Sequence, residues 1–124
     1  MITLHADITE RIVGCLITVH RALGPGLAER SCQTASALEF AACGLQFTRE
    51  PRYTVTYRNV VIGDHRPDFV VENKVVLELK CVSHLDPVFT AQMITYLRVT
   101  KLKVGLLVNF NVPVLKDGIR RMVL

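Results

Sequence analysis

Cysteine is sparse and unpatterned in this chain: Cys15, Cys32, Cys43 and Cys81 show no C-x-x-C spacing, so free thiols behaving as small apolar side chains are expected. Histidine is equally uninformative, because His5, His20, His65 and His84 form neither H-x-x-x-H nor H-E-x-x-H, and a zinc site has no ligand spacing to rest on. His20 reads as a hydrogen-bonding residue at the edge of the core, while His65 and His84 flank the segments singled out below. No apolar run reaches the roughly 18 residues of a membrane helix. The longest, Val104 to Leu115, is interrupted by Gly105, Asn109, Asn111 and Pro113. The first residues have neither a basic region nor a small-residue cleavage site, so a cytoplasmic protein without a secretory leader is expected. Repeats, low-complexity tracts and linkers are also missing, which leaves one domain spanning 1–124.

What is present is an unusual share of apolar residues, 50% of 124, and a formal net charge of +4. The first suggests a homodimer interface, since a small protein has much surface to cover. The second is a weak indication of a polyanionic partner.

The periodicity changes along the chain. Ile8, Ile12, Leu16, Val19 and Leu23 recur at helical spacing over 6–23, with Asp7 or Thr9 as candidate caps and Gly24-Pro25-Gly26 as the stop. A second helix is expected from about Leu27 or Ala28 to Cys43, ended by Gly44. From Gln46 to Tyr57 the period is two, and Arg58-Asn59 turns the chain into a strand running from Val60 to Glu72. Pro67 cannot donate a ladder hydrogen bond and predicts an edge or bulge immediately before Asp68. A turn at Glu72-Asn73-Lys74 leads into Val75–Val82, Asp86-Pro87 starts a helix over 87–100, and Lys103–Asn109 is a further strand. The segment Ile119–Leu124 has no readable pattern. Helix, helix, three-strand meander, crossover helix and strand make an α/β protein with a mixed central sheet flanked by helices.

Within the apolar strand Val75–Val82, Glu78 and Lys80 fall on one face. Ions desolvated there cost several kcal/mol unless partners or a metal compensate. The turn at 72–74 brings Asp68 of Arg66-Pro67-Asp68 beside Glu78, so two carboxylates and an ammonium converge in the manner of a site for a hard cation. An ordinary exposed ion pair between Glu78 and Lys80 is the plain alternative. Gln92 and Tyr96 lie one helical turn apart and can reach one cleft. Arg49, Arg52, Arg58, Arg66, Arg98, Lys101 and Lys103 form a phosphate track if the fold gathers them, and scattered solvated charges otherwise.

Taken together, these segments resemble a known family. Val19-His20-Arg21-Ala22-Leu23-Gly24-Pro25-Gly26, followed by Leu27-Ala28-Glu29-Arg30-Ser31-Cys32, is similar to the signature of the GxxExxY proteins, small bacterial and archaeal members of the PD-(D/E)XK nuclease superfamily. Arg66-Pro67-Asp68, Glu78-Leu79-Lys80, Gln92 to Leu97, Gly105 to Phe110 and Leu115 to Ile119 extend the resemblance over nearly the whole chain. It implies a restriction-endonuclease-like core and a nuclease, with nucleic acid as partner and DNA preferred to RNA. It also implies a divalent ion, Mg²⁺ or alternatively Mn²⁺, held by Glu29, Asp68 and Glu78. Lys80 then matches the catalytic lysine, and Gln92 with Tyr96 the Gln-x-x-x-Tyr motif of the RecB-like branch. The departures are Cys32 where the naming tyrosine stands and Gln33 where an acid often follows. A non-catalytic nucleic-acid- or protein-binding module on the same fold is the competing expectation, and a structural subunit that dimerises through its apolar surface is a third.

Overall fold

The chain opens as its helical periodicity requires. In the computed structural model, which describes residues 3–124, Ala6–Leu23 forms α1 and buries Ile8, Ile12, Leu16 and Val19 along one stripe. Met1 and Ile2, part of the segment read as having no leader, lie outside the described residues. Neither expected cap holds: His5 occupies the N-cap position without a side-chain bond, and Thr9 Oγ1 donates to Ala6 O inside the first turn. Asp7 contributes through its charge near the positive helix end instead. Gly24, at φ 73°, ends α1 with its N–H on His20 O, a backbone conformation that glycine adopts without strain. Glu29–Ala42 forms α2, which packs against α1.

The expected three-strand meander is replaced by two separate sheets, and two prolines explain why. Pro51 divides the Gln46–Tyr57 segment into β1 (Phe47–Arg49) and β2 (Tyr53–Tyr57), while Pro67 divides Val60–Glu72 into β3 (Val60–His65) and β4 (Phe69–Val71). A residue without an N–H cannot stay in a ladder, and here the interruption is complete where an edge or a bulge was expected. β2 and β3 pair only with each other, turning at Arg58 and Asn59 with φ of 49° and 65°. Positive φ at both central residues matches the twist of a tight hairpin.

The central sheet has the order β1-β4-β5-β6-β7, with β5 at Val75–Lys80, β6 at Val104–Asn109 and β7 at Ile119–Val123. β5 and β6 are parallel and all other neighbours antiparallel. The crossover between the parallel pair is α3 (Pro87–Thr100), capped by Asp86, whose side chain accepts from Val88 N at 2.9 Å. The β4–β5 turn falls at Glu72 and Asn73, within the expected segment, and both residues have positive φ. A 3₁₀ turn at Leu115–Gly118 leads into the unpatterned tail, which is the edge strand β7.

Alternation along the strands divides the core into two layers. Phe69, Val71, Val75, Leu77, Leu79, Leu106 and Val108 face α1 and α2. Val70, Val76 and Leu107 face α3 through Met93, Tyr96 and Leu97. A Cβ on Gly105 would run into the Met93 side chain, so the missing side chain lets α3 lie close to the sheet. The architecture is α/β, a mixed five-stranded sheet flanked by helices, consistent with a restriction-endonuclease-like fold. Among the described residues no helix is long and apolar enough to cross a membrane.

Candidate active site

The pairing of β4 with β5 sets Phe69 opposite Leu77, which leaves Asp68 at the end of β4 opposite Glu78. Each acid is then held by the other strand. Asp68 N–H donates to Glu78 Oε1 at 2.8 Å, and Leu79 N–H donates to Asp68 Oδ2 at 2.7 Å. Strand alternation puts Val76, Glu78 and Lys80 on the α3 side. Lys80 Nζ lies 3.7 Å from Glu78 Oε2 and 4.6 Å above the Phe89 ring, so ion pair and cation–π contact fix the ammonium from two directions. Tyr96 is buried on the facing side of α3, with His65 edge-on to its ring at a centroid distance of 5.8 Å.

Burial gives this group its electrostatic character. Glu78 is pushed up from 4.5 to about 8, first by desolvation and then by the neighbouring Asp68 charge, while the Asp68 N–H and Lys80 pull the other way. Asp68 is also raised by burial, against the Leu79 N–H, the Gln33 amide and Lys80. The two acids act as one unit, and burial holds a proton on the pair to higher pH than on ordinary carboxyl groups. The Tyr96 phenol is raised by burial and by the charges of Glu78 and Asp68.

Glu29 stands apart. It opens α2 on the other side of the sheet, is exposed, and makes no hydrogen bond to Asp68 or Glu78. Its carboxyl comes round the end of β5 close enough to feel Lys80, Asp68 and the Cys81 N–H, and desolvation raises it. Gln92 is half-buried on α3 and makes no side-chain hydrogen bond among the described residues. Among the described residues, no three acidic, cysteine or histidine side chains converge to hold an ion. Asp68 and Glu78 form a close pair, and Glu29 lines a cleft together with Asp68.

Three residues near the acids were not connected with them from the sequence. Gln33 is 4% exposed and donates from Nε2 to Asp68 Oδ1 at 2.8 Å. Arg49 Nε donates to Gln33 Oε1 at 2.8 Å and Arg49 Nη2 to Thr34 Oγ1 at 2.8 Å, so an arginine fixes the amide that fixes the carboxylate. Glu50 completes a cleft of about 120 Å³ with Glu29, Arg30, Gln33 and Asp68. The four-residue step from Glu29 to Gln33 on α2 was the available signal. Arg49 and Glu50 join through β1–β4 pairing, which has no local signature. Behind the site, Asn109 receives Val82 N and Asn111 N on Oδ1 and donates from Nδ2 to Val82 O, locking the chain just past Lys80.

The basic residues do not form one track. Arg49 is committed to Gln33, and Arg52 and Arg66 flank Asp64. Arg98, Lys101 and Lys103 sit at the far end of α3, because the helix starts beside the end of β5 and runs back along the sheet. His20 is a core-edge residue as expected, with Nε2 2.8 Å from Val112 O and its ring edge-on to Phe110. Cys32 is fully buried, with its Sγ 3.6 Å from Cys81 Sγ, so the position of the naming tyrosine faces the interior between α2 and the end of β5.

A family model described as the PD-(D/E)XK nuclease superfamily matches residues 6–122. No curated protein and no solved structure matches the chain.

Proposed function

Because the chain belongs to the PD-(D/E)XK nuclease superfamily, we propose that it is a metal-dependent nuclease that hydrolyses phosphodiester bonds of nucleic acid, DNA in preference to RNA. Within the superfamily we assign it to the GxxExxY group on Gly26 and Glu29. The observation that carries the reading is the reciprocal lock of Asp68 and Glu78 with the Lys80 ammonium 3.7 Å from the second carboxylate. A buried acid pair carrying raised pKa values is costly on its own, and a hard divalent cation relieves that cost through oxygen ligands of this type. The donor set thus fits Mg²⁺ or Mn²⁺, held by Asp68 and Glu78 with Glu29 approaching from α2. When bound, the cation would polarise the phosphate and ease deprotonation of water.

The chain's own residues do the remaining work. Lys80, pinned by Glu78 and Phe89, orients the attacking water and balances charge growing on the phosphate oxygens. Its place between the Glu78 carboxylate and the Phe89 ring makes positioning its role. Gln33 and Arg49 hold Asp68 in one orientation. Tyr96 closes the α3 side of the site, and Gln92 lies one turn away, available to substrate. The second reading is a binding module without turnover, favoured by the lack, among the described residues, of three converging acidic, cysteine or histidine side chains.

Labelled single- and double-stranded DNA and RNA incubated with Mg²⁺, Mn²⁺ or EDTA separate the two. Metal-dependent cleavage that disappears in Asp68→Ala and in Lys80→Ala supports the nuclease. Salt-sensitive binding with no cleavage under any condition supports the module.

A further inference from the structure

The β2–β3 hairpin leaves the central sheet at Pro51 and returns at Pro67, so it projects as a two-stranded ribbon. Its base is anchored at the site: Tyr53 packs into the α3 layer and His65 meets Tyr96. Its tip is not covered. Tyr57, Val60, Val61 and Ile62 are 62–66% exposed, on both faces of the ribbon, around a turn carrying Arg58 and Asn59. Four large apolar side chains at a solvent-facing turn demand an occupant.

Charge identifies it. Arg58 is the charged side chain at the tip, while Arg52 and Arg66 lie at the base beside Asp64. Two copies meeting tip to tip would set Arg58 against Arg58, on a chain already at +4, whereas a polyanion neutralises both the tip and the chain. Shape narrows the choice further. The major groove of B-form DNA admits a two-stranded ribbon, and proteins that grip a duplex combine arginine with apolar wedges; the A-form major groove of RNA is too narrow for side chains. From Ile62 to Asp68 the extended backbone spans at most about 20 Å, the scale of one duplex diameter.

We infer that the β2–β3 hairpin docks in a groove of double-stranded DNA and holds the duplex over the Asp68–Glu78 pair. The second half rests on the nuclease reading; the first does not. Tyr57, Val60, Val61 and Ile62 give the ribbon its wedge, Arg58 reaches the phosphates beside the groove, and Arg66-Pro67 transmits the register to Asp68.

The test is anisotropy in EDTA with a labelled 20-base-pair DNA duplex, the matching single strand and the matching RNA duplex. The variants are Val60→Ser/Ile62→Ser and, separately, Arg58→Ala. These side chains are exposed, and an unchanged melting temperature verifies folding. The expected result is DNA-duplex affinity weakened about tenfold in the double variant and about three- to tenfold in Arg58→Ala, with single-strand binding nearly unchanged. Duplex binding equal to wild type in both variants overturns the inference, and so does a wild-type dimer in sedimentation that the double variant splits into monomers. Cleavage lost in Asp68→Ala beside hairpin variants that bind normally keeps the nuclease and rejects the ribbon. Hairpin-dependent duplex binding without cleavage keeps the ribbon and rejects the nuclease.

Discussion

Glu78→Gln replaces a buried acid by an amide of nearly the same shape whose oxygen still accepts from Asp68 N–H. The folded pKa of Glu78, about 8, lies above its ordinary 4.5, so the folded state binds an extra proton between these values. Stability is therefore greatest below about pH 4.5 and falls as pH climbs through about 8. At pH 7 the difference of roughly 2.5 pH units corresponds to about 3 kcal/mol against folding, a cost the amide does not carry. For a chain of this size that is on the order of 10 °C in Tm. Differential scanning fluorimetry in EDTA from pH 4.5 to 8 should show Glu78→Gln level with wild type at the acid end and increasingly more stable toward pH 8. Added Mg²⁺ should raise the wild-type Tm at pH 8 much more than at pH 5, because the cation competes with the shared proton, and should leave the variant nearly unmoved. Equal melting temperatures at every pH, or wild type gaining stability toward pH 8 in EDTA, would refute the reasoning.

Gln33→Ala removes an amide that holds the Asp68 carboxyl down, so the acid limb of the cleavage pH profile should move to higher pH while the protein stays folded; an unmoved limb assigns Gln33 a packing role only. Asn109→Ala leaves Val82 N, Val82 O and Asn111 N without their side-chain partner and should cost about 2–3 kcal/mol in urea unfolding. Cys32→Tyr restores the residue that names the group, but it has to enter a fully buried position against Cys81, and overpacking should cost about 1–3 kcal/mol with no gain in cleavage; a more stable or more active variant would contradict the packing seen here.

The helices were legible because their signals are local: a three- and four-residue apolar spacing for α1, Asp86-Pro87 for the start of α3. The Asp68–Glu78–Lys80 grouping was legible for a similar reason, since strand alternation and one tight turn at Glu72-Asn73 fix it. The separate hairpin was not, because Pro51 and Pro67 can either bulge a strand or remove it from the sheet, and the choice depends on distant pairing. β7 was hidden by the adjacent Arg120 and Arg121, which erase alternation on an edge strand whose place is set by β6. The Arg49–Gln33–Asp68 chain joins three elements remote in sequence, so it became visible only in three dimensions.

A nuclease of this kind requires Asp68 and Glu78 to share one cation beside Lys80. Crystals soaked in Mn²⁺ and measured at the manganese absorption edge test this directly. The account predicts an anomalous peak within ligand distance of both carboxyl groups in the wild type and none in Asp68→Ala. No peak at the wild-type pair, with manganese bound elsewhere or not at all, would contradict it.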